Sequence, residues 1–311
     1  MDVVVLGDIN VDLVFFVDEP PRPGGMSLAR NFQEHHGGVG GNIASALARL
    51  GVKVGLIGAI GMDAFGEKAL AALRERGVET SRISVIKGYH TGLMSISVDN
   101  RGERAIVGSR GANAVRRLAD EDLEYISRSR HLHVSGYQML NRDRGEGALR
   151  LLQHAKKLGL TVSIDMEGAA FLSQVEEKLG GLPTHVFANR WEAEGFTGAK
   201  NEGEMVRRLR RRLGSEAAVV KLGEGGCIVD WRNGTKLIPA FKVKVVDSTG
   251  AGDAFNAGFI YGILNGLSPE ESAIIGNAMG AYKCSGFGAR HHPTLKELFD
   301  RFPQVSSLIR R

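Results

Sequence analysis

Asn42-Ile43-Ala44-Ser45-Ala46-Leu47-Ala48-Arg49-Leu50-Gly51-Val52-Lys53-Val54-Gly55-Leu56-Ile57 holds a helix, its stop and a strand in one short stretch. Asn42 to Leu50 reads as the helix. Gly51 is the residue type that a left-handed C-cap favours, and Lys53 to Ile57 reads as the strand. The same unit recurs outward in both directions. Upstream, Val3-Val4-Val5-Leu6 is an all-apolar strand. Downstream, Ala64 to Arg76 is a helix closed by Gly77. Leu149 to Leu158 is a helix closed by Gly159, with the strand Thr161 to Ile164 after it. Apolar strands alternating with helices imply a mostly parallel sheet covered on both faces, so the fold class is α/β.

Two stretches break the rhythm. Leu13 to Glu34 and Leu93 to Val107 alternate apolar and polar residues around turns, as in Ser95-Ile96-Ser97-Val98-Asp99-Asn100-Arg101-Gly102. Half-buried antiparallel strands have this pattern. The two stretches are expected to form a small β-sheet that acts as a lid, with ordinary surface hairpins as the alternative. No internal repeat, low-complexity tract or linker interrupts the chain. The expectation is one domain over residues 1–311, with lid insertions at about 13–36 and 88–112. Apolar residues such as Leu13, Phe15 and Val17 on the lid need cover, which points to a homodimer formed through the lids.

The chain of 311 residues is 43% hydrophobic and 24% charged, close to the globular average. No apolar run reaches the length of a membrane span. Met1-Asp2 leads directly into Val3 without a basic region or a cleavage site, so the N-terminus reads as a strand and not a signal peptide. Two cysteines, Cys227 and Cys284, cannot make a disulfide framework, and a cytoplasmic, reduced setting is expected. A net charge of +5 and a pI of about 9.2 raise the question of nucleic acid. Lys and Arg are, however, spread along the chain and nearly balanced by 35 acids, so neither a nucleic acid nor a membrane is expected as a partner. The dense run Arg207-Arg208-Leu209-Arg210-Arg211-Arg212 sits in a helical stretch and reads as a solvated face. Scarce Gln and Cys with abundant Arg hint at a thermophilic source.

The residues that carry chemistry are Asp247-Ser248-Thr249-Gly250-Ala251-Gly252-Asp253-Ala254-Phe255. Small residues let backbone approach a ligand closely. The N–H groups of a helix N-terminus favour an anion. Gly250, Ala251 and Gly252 are therefore placed to cradle a phosphoryl group during transfer. Asp253 follows, in position to take a proton from an attacking hydroxyl.

This string resembles the second signature of the ribokinase family, also called the PfkB carbohydrate kinase family. The first signature is similar to Gly37-Gly38-Val39-Gly40-Gly41-Asn42 and the residues after it, up to Gly51. Gly7-Asp8-Ile9-Asn10-Val11-Asp12 resembles the family's sugar-binding strand end. Asn189-Arg190-Trp191-Glu192 resembles its Asn-x-x-Glu motif, and Val220-Lys221-Leu222-Gly223-Glu224-Gly225-Gly226 its nucleotide loop. Gly111-Ala112-Asn113 and Asn277-Ala278-Met279-Gly280-Ala281 also have counterparts, so the resemblance runs over nearly the whole chain. It implies a ribokinase-like three-layer α/β/α fold, with a mostly parallel central sheet and a small β-sheet lid.

The resemblance also implies an activity: transfer of the γ-phosphoryl group of ATP to a hydroxyl of a sugar or nucleoside. Ribose or a nucleoside ranks first as acceptor, a hexose such as fructose next, and a sugar phosphate third. Asp253 would be the general base, with the Gly250, Ala251, Gly252 and Asp253 amides as the anion hole. Asn10, Asp12, Gly38, Val39, Gly40, Gly41 and Asn42 would surround the acceptor. Asn189 and Glu192, one helical turn apart, would hold the phosphates and the waters of Mg²⁺. Mg²⁺ commonly keeps waters and needs few direct carboxylates. Lys221, Gly223, Gly226 and Asn277 would line the nucleotide. Asp247 and Thr249 match the family's monovalent-cation (K⁺) site, which the loop Lys283 to His292, through Gly286 and Gly288, would complete.

Some positions depart from the family pattern. A second Glu is usual where Arg190 stands, and Thr or Ser where Lys221 stands. Lys221 either reaches nucleotide phosphate or is a surface lysine. Asp165-Met166-Glu167-Gly168 lacks the Asn and Arg that sugar-acid kinases carry there. Tyr137 falls where ribokinases carry a substrate-binding Glu, and either stacks on a base or sugar face or belongs to the core. His35-His36 and His291-His292 could be read as metal pairs, but adjacent histidines face different ways on a regular element. No P-loop string is present. Gly38-Val39-Gly40-Gly41 is not a dinucleotide fingerprint, because Ile43 takes the third glycine position. A silent sugar or nucleoside sensor on the same fold is the reading from a different class, and an intact Asp253 argues against it.

Overall fold

Val3–Leu6 (β1) is buried at every position in the computed structural model, which describes residues 1–140, 142–168 and 176–309. It lies inside a mostly parallel sheet, between Val54–Gly61 (β4) and His131–Ser135 (β8), and is parallel to both. The other strands are, in chain order, β2 (Asn10–Phe16), β3 (Asn31–Gly37), β5 (Ile83–Ile86), β6 (Gly92–Val98), β7 (Arg104–Ser109), β9 (Thr161–Asp165), β10 (His185–Asn189), β11 (Ala217–Lys221), β12 (Cys227–Trp231) and β13 (Gly234–Ile238). The large sheet runs β13-β12-β11-β10-β9-β8-β1-β4-β5. It is parallel up to β11, and β12 and β13 close that edge as an antiparallel meander.

Helices cover both faces, as buried apolar strands require. The described helices are α1 (Val39–Arg49), α2 (Ala64–Glu75), α3 (Asp120–Ile126), α4 (Arg142–Lys157), α5 (Glu176–Leu179), α6 (Arg190–Thr197), α7 (Glu202–Leu213), α8 (Ala251–Leu264), α9 (Pro269–Cys284), α10 (Leu295–Arg301) and α11 (Pro303–Ile309). Val3, Val5, Leu56 and Ile60 pack against Leu47 of α1, Leu73 of α2, Ile260 of α8 and Met279 of α9. Val4, Leu6, Val134 and Ile164 face the other way, onto Ile126 of α3, Leu152 of α4 and Leu209 of α7. The three-layer α/β/α expectation is met.

Local outcomes refine the reading. α1 starts at Val39 and not Asn42, because Gly38 adopts φ 83° as its N-cap and the glycine loop is itself the first helical turn. A Cβ on Gly40 would overlap the backbone of Gly7, so the glycine allows α1 to touch the end of β1. The Arg-rich run lies on α7, where Met205, Val206, Leu209 and Leu213 are buried. Arg208 pairs with Glu204, and Arg210 with Asp230. This is the solvated face that the charge run implied.

The two alternating stretches form one four-stranded sheet, ordered β3-β2-β6-β7. Register places Asp12, Val14 and Phe16 beside His35, Gln33 and Asn31, and beside Met94, Ile96 and Val98. One face of this sheet overhangs the C-terminal ends of the large sheet's strands. Val17, expected on an exposed apolar face, is instead 3% exposed and bonds through its N–H to Val98 O. Leu13 packs on the main core, while the Phe15 ring packs at a tilt against Phe32, with centres 5.1 Å apart.

Candidate active site

The C-terminal ends of β1, β8, β9, β10 and β11 converge on the N-terminus of α8. Gly250, at φ 76°, is the N-cap residue of that helix. Its conformation suits glycine, and an added Cβ would overlap Ala289 O. Ala251 N–H closes a turn on Ser248 O, and Ala254 N–H bonds Gly250 O. The Gly252 and Asp253 amides between them are first-turn donors without an intrahelical acceptor.

Asp253 is the third residue of α8. Burial pushes its carboxyl up to about 7, against the pull of Asn42 and Lys221, with Asp165 and Asp12 adding to the rise. Asn42 Nδ2 donates to Asp253 Oδ2 at 2.8 Å, and Asn42 Oδ1 accepts from Arg290 Nε at 3.1 Å. Both ends of the Asn42 amide are thus engaged, and it orients the carboxylate where direct contact with the acceptor was expected. Arg290 Nη2 also donates to Gly37 O at 2.8 Å, and the buried guanidinium stands near both Asp12 and Asp253.

A crevice lies beneath the small sheet. Asp12 is buried, and its carboxyl is pushed up to about 6 by that burial, with Arg290 opposing and Asp247 adding to the rise. Any side chain at Gly37 would overlap the Asp12 carboxylate. Asn10 Oδ1 accepts from Asn113 Nδ2 at 3.0 Å, while Asn113 clamps both polar groups of the Ile9 backbone. Gly38, Val39, Gly40 and Gly41 form the turn behind these groups. A cavity of about 270 Å³ between the small sheet and residues 245–249 is lined by Asp12, His35, Arg104 and Thr249, among others. Arg104 reaches across from β7, and its Nη1 donates to Thr249 Oγ1 at 2.7 Å. Tyr137 sits at the end of β8, 37% exposed, with the Arg110 guanidinium 5.7 Å from its ring centre. Arg110 in turn grips Asp8 with two hydrogen bonds, of 2.9 and 2.7 Å. Tyr137 is therefore a rim residue and not a core one.

On the other side of Asp253 lies a charged cluster. Lys221 is not a surface lysine: its Nζ lies 2.6 Å from Asp165 Oδ2 and 3.4 Å from where a Cβ on Gly252 would stand. Asn256 Nδ2 bonds the same Asp165 oxygen, and Ser135 Oγ donates to Glu167 Oε2 at 2.5 Å. Burial, then Asp165 and Asp253, holds Glu167 well above the usual carboxylate range. Burial and Asp165 also raise Glu192. Asn189 and Glu192 are not successive positions on one helical face. Asn189 is the N-cap of α6, and the two residues form a reciprocal capping box, with bonds of 2.9 and 2.7 Å. An Asn followed three residues later by Glu, before a helix, carries that signal.

Four carboxylates, those of Asp165, Glu167, Glu192 and Asp253, thus surround one ammonium, and buried Asp165 Oδ1 has no hydrogen-bond partner. No three ligand-type side chains among the described residues converge into a direct coordination shell. An excess of carboxylate without such a shell fits a hydrated Mg²⁺.

Beyond Gly252 opens a cleft of about 590 Å³, lined by Lys221, Gly223, Gly226, Phe255, Asn277 and Ala281, among others. A Cβ on Gly226 would overlap Ile238 O. Asn277 Nδ2 donates to Ile238 O at 3.0 Å and Pro239 O at 3.1 Å, so this amide secures the wall of the cleft. The two cavities share Val245 and Ser248, and together are lined by residues 245–249, 251 and 252.

The monovalent-cation expectation meets a different arrangement. Asp247 Oδ1 accepts from the N–H and hydroxyl of Thr249, and Asp247 Oδ2 from Gly288 N–H. The oxygens around this loop are already served by the Lys283 ammonium, which donates to Asp247 O and Gly286 O. Lys283 is a cation and not a ligand. His292 is buried with neither ring nitrogen hydrogen-bonded, and His291 stacks on Tyr282 at 5.3 Å. These residues do not fit a monovalent metal ion.

Asn256 and Arg104 were absent from the sequence reading of the site, Asp165 and Glu167 entered it only as a departure from sugar-acid kinases, and Arg290 only as an unnamed member of the loop Lys283 to His292. Asp165 and Glu167 had a usable signal, since they follow a buried strand and so emerge at the same rim as Asp12.

No helix among the described residues is long and apolar enough to cross a membrane. A family model described as pfkB family carbohydrate kinase matches residues 1–296. A ribokinase from Haemophilus influenzae is 31% identical over 95% of this chain and 96% of its own. An ATP-dependent ribose-1-phosphate kinase from Halopiger xanaduensis is 32% identical over 96% of this chain and 99% of its own. Among solved structures, a ribokinase from Thermotoga maritima matches with a TM-score of 0.83 at 27% identity, covering 100% of this chain and 99% of that one.

Proposed function

Because the chain belongs to the pfkB family of carbohydrate kinases, and so is a phosphotransferase with an alcohol acceptor, we propose that it moves the γ-phosphoryl group of ATP to a hydroxyl of ribose or a nucleoside. The observation that supports this most is the meeting of two cavities around Ser248, just ahead of the helix N-terminus whose first turn carries the buried carboxylate of Asp253. The smaller cavity takes the acceptor and the larger one the nucleotide.

Asp12 and Asn10 hold adjacent hydroxyls of the acceptor and turn a third toward Asp253. Asp253 takes that hydroxyl's proton as the oxygen attacks, and a group with its pKa near the working pH suits this task. The Gly252 and Asp253 amides bond the transferring group as it leaves the donor. Lys221, held by Asp165, places a positive charge beside Gly252. Mg²⁺, held through water by Glu192 and its neighbours, would supply charge neutralisation to the phosphates.

A panel of ribose, nucleosides, ribose 1-phosphate and fructose, each with labelled ATP and with ADP, tests the reading. Ribose or a nucleoside with ATP is expected to give the highest kcat/KM. A preference for ribose 1-phosphate is the second reading, supported by the 32% identical relative of that name. Transfer to none of these acceptors overturns the proposal.

Glu192→Gln tests the Mg²⁺ assignment. Gln preserves the capping box with Asn189, so α6 stays in place while one charge goes. The Mg²⁺ concentration for half-maximal rate is expected to rise more than the acceptor KM. An unchanged Mg²⁺ titration returns this pair to a purely structural role.

The small sheet closes over the acceptor as a lid within a single-domain chain, and it pairs with a second copy. Its outward face carries Phe32 and Val107, 50% and 77% exposed, and apolar surface of this kind calls for cover. Sedimentation at micromolar concentration is expected to show a homodimer. A monomer there refutes the pairing and leaves the lid untouched.

A further inference from the structure

Lys283 closes α9, and its side chain is 0% exposed. Its Nζ donates to Asp247 O at 2.5 Å and Gly286 O at 3.2 Å, and lies 3.6 Å from Asp247 Oδ2. Three oxygens from two loops thus face one buried ammonium. The Asp247 carboxylate it neutralises is a hub in turn. It takes the N–H and hydroxyl of Thr249 at 2.9 and 2.7 Å, and the N–H of Gly288 at 3.0 Å. Thr249 precedes Gly250, the N-cap residue of α8. The ammonium therefore stands two contacts away from the first-turn amides of that helix.

A lysine ammonium resembles a large monovalent cation in charge and size, and it meets oxygen atoms at similar distances. Here it is covalently tethered. Burial draws its pKa down, while the adjacent Asp247 carboxylate draws it back up. Bulk salt cannot exchange with a charge that is part of the chain and shielded from solvent.

We propose that the Lys283 ammonium is a built-in monovalent cation that fixes the Asp247 loop and the α8 N-terminus, so that catalysis needs no added K⁺. Lys283 is a positioning residue: it touches neither acceptor nor nucleotide. The inference rests on the proposed role of residues 250–253, and deepens it.

The test measures phosphoryl transfer from ATP to the best acceptor of the panel, at constant ionic strength in choline chloride. KCl or NH₄Cl then replaces the choline salt stepwise. Wild-type kcat is expected to change less than about twofold. Lys283→Met removes the charge at similar length, and misplacement of the anion-binding amides is expected to lower kcat by about 10²-fold. Lys283→Ala leaves the oxygens facing an empty volume, and K⁺ or NH₄⁺ is expected to recover part of the loss while choline is not. Melting provides a second readout. K⁺ should raise the Tm of Lys283→Ala, because an ion that binds only the folded state stabilises it, and should leave the wild type unchanged. A wild type activated severalfold by K⁺ overturns the proposal. An Ala variant that K⁺ and NH₄⁺ neither reactivate nor stabilise also overturns it. Should the wild type phosphorylate no acceptor, the kinase reading falls, and the melting comparison still decides whether Lys283 occupies a cation site.

Discussion

Asp253→Asn is expected to lower kcat by about 10²–10⁴-fold, the usual loss when a general base is removed, and to raise the melting temperature at pH 8. The two effects share a cause. Burial holds the carboxyl near 7, above the ordinary Asp value of 3.8. The folded state therefore favours the protonated form. Its stabilising contribution is fully present below the unfolded value and is lost as pH rises through about 7. Asn carries no charge to bury and can still accept the Asn42 hydrogen bond. Its Tm advantage over the wild type should grow between pH 4 and 7 and then level off. Wild-type kcat/KM should fall as pH drops below about 7, because that profile reports the base in the free enzyme. Calorimetry beside initial rates separates the readings. A variant with more than about a tenth of wild-type kcat loses Asp253 its role as base. A Tm difference that ignores pH removes the electrostatic account.

Acceptors stripped of one hydroxyl are expected to be poor substrates, by up to roughly 10⁴-fold in kcat/KM for a 2′- or 3′-deoxynucleoside or 2-deoxyribose. A site built to bond hydroxyls leaves buried polar groups unpaired when the hydroxyl is missing. Asp12 is buried, and Asn10 has one end of its amide fixed by Asn113. Neither group can turn to water for a substitute. Asp12→Ala should therefore reduce acceptor kcat/KM severely while ATP affinity stays within about twofold. Asp12 also stands near the buried Arg290, so Ala leaves that guanidinium without its neighbour. Asp12→Asn keeps the shape and separates the two causes. Equal kcat/KM for deoxy and parent acceptors sinks the diol assignment, and the kinase assignment stands.

The sheet, its two helical layers and the small sheet were all legible in the sequence. Buried apolar runs, alternating runs and glycine stops are local patterns, and each depends only on near neighbours along the chain. The position of Asp253 was legible for the same reason, since a Gly-rich turn before a helix is a local feature. The partners of the site residues were not. Asn42 meets Asp253 and Arg290, far away in sequence. Lys221 meets Asp165 because β10, and only β10, separates β9 from β11. Strand order decides such contacts, and periodicity carries no strand order. The capping box at Asn189 and Glu192 was legible and was passed over, because the same spacing also reads as one helical turn.

β1 has its neighbours at residues 54–61 and 131–135, and the layer over Val3 and Val5 includes Ile260, Met279 and Leu298. A ribosome adds about 5–20 residues per second. The first strand therefore leaves the exit tunnel many seconds before the helices that cover one of its faces exist. Until α8 to α10 arrive, Val3, Val5, Leu56 and Ile60 have only α1 and α2 as apolar cover. Long-range parallel pairing of this kind folds slowly and exposes aggregation-prone surface meanwhile. The nascent N-terminal half is thus expected to need cover for this surface before the later helices arrive. A chain released before residue 251 should precipitate or bind a holdase more readily than the full chain does, and equal behaviour of the two in a sedimentation assay would count against this account.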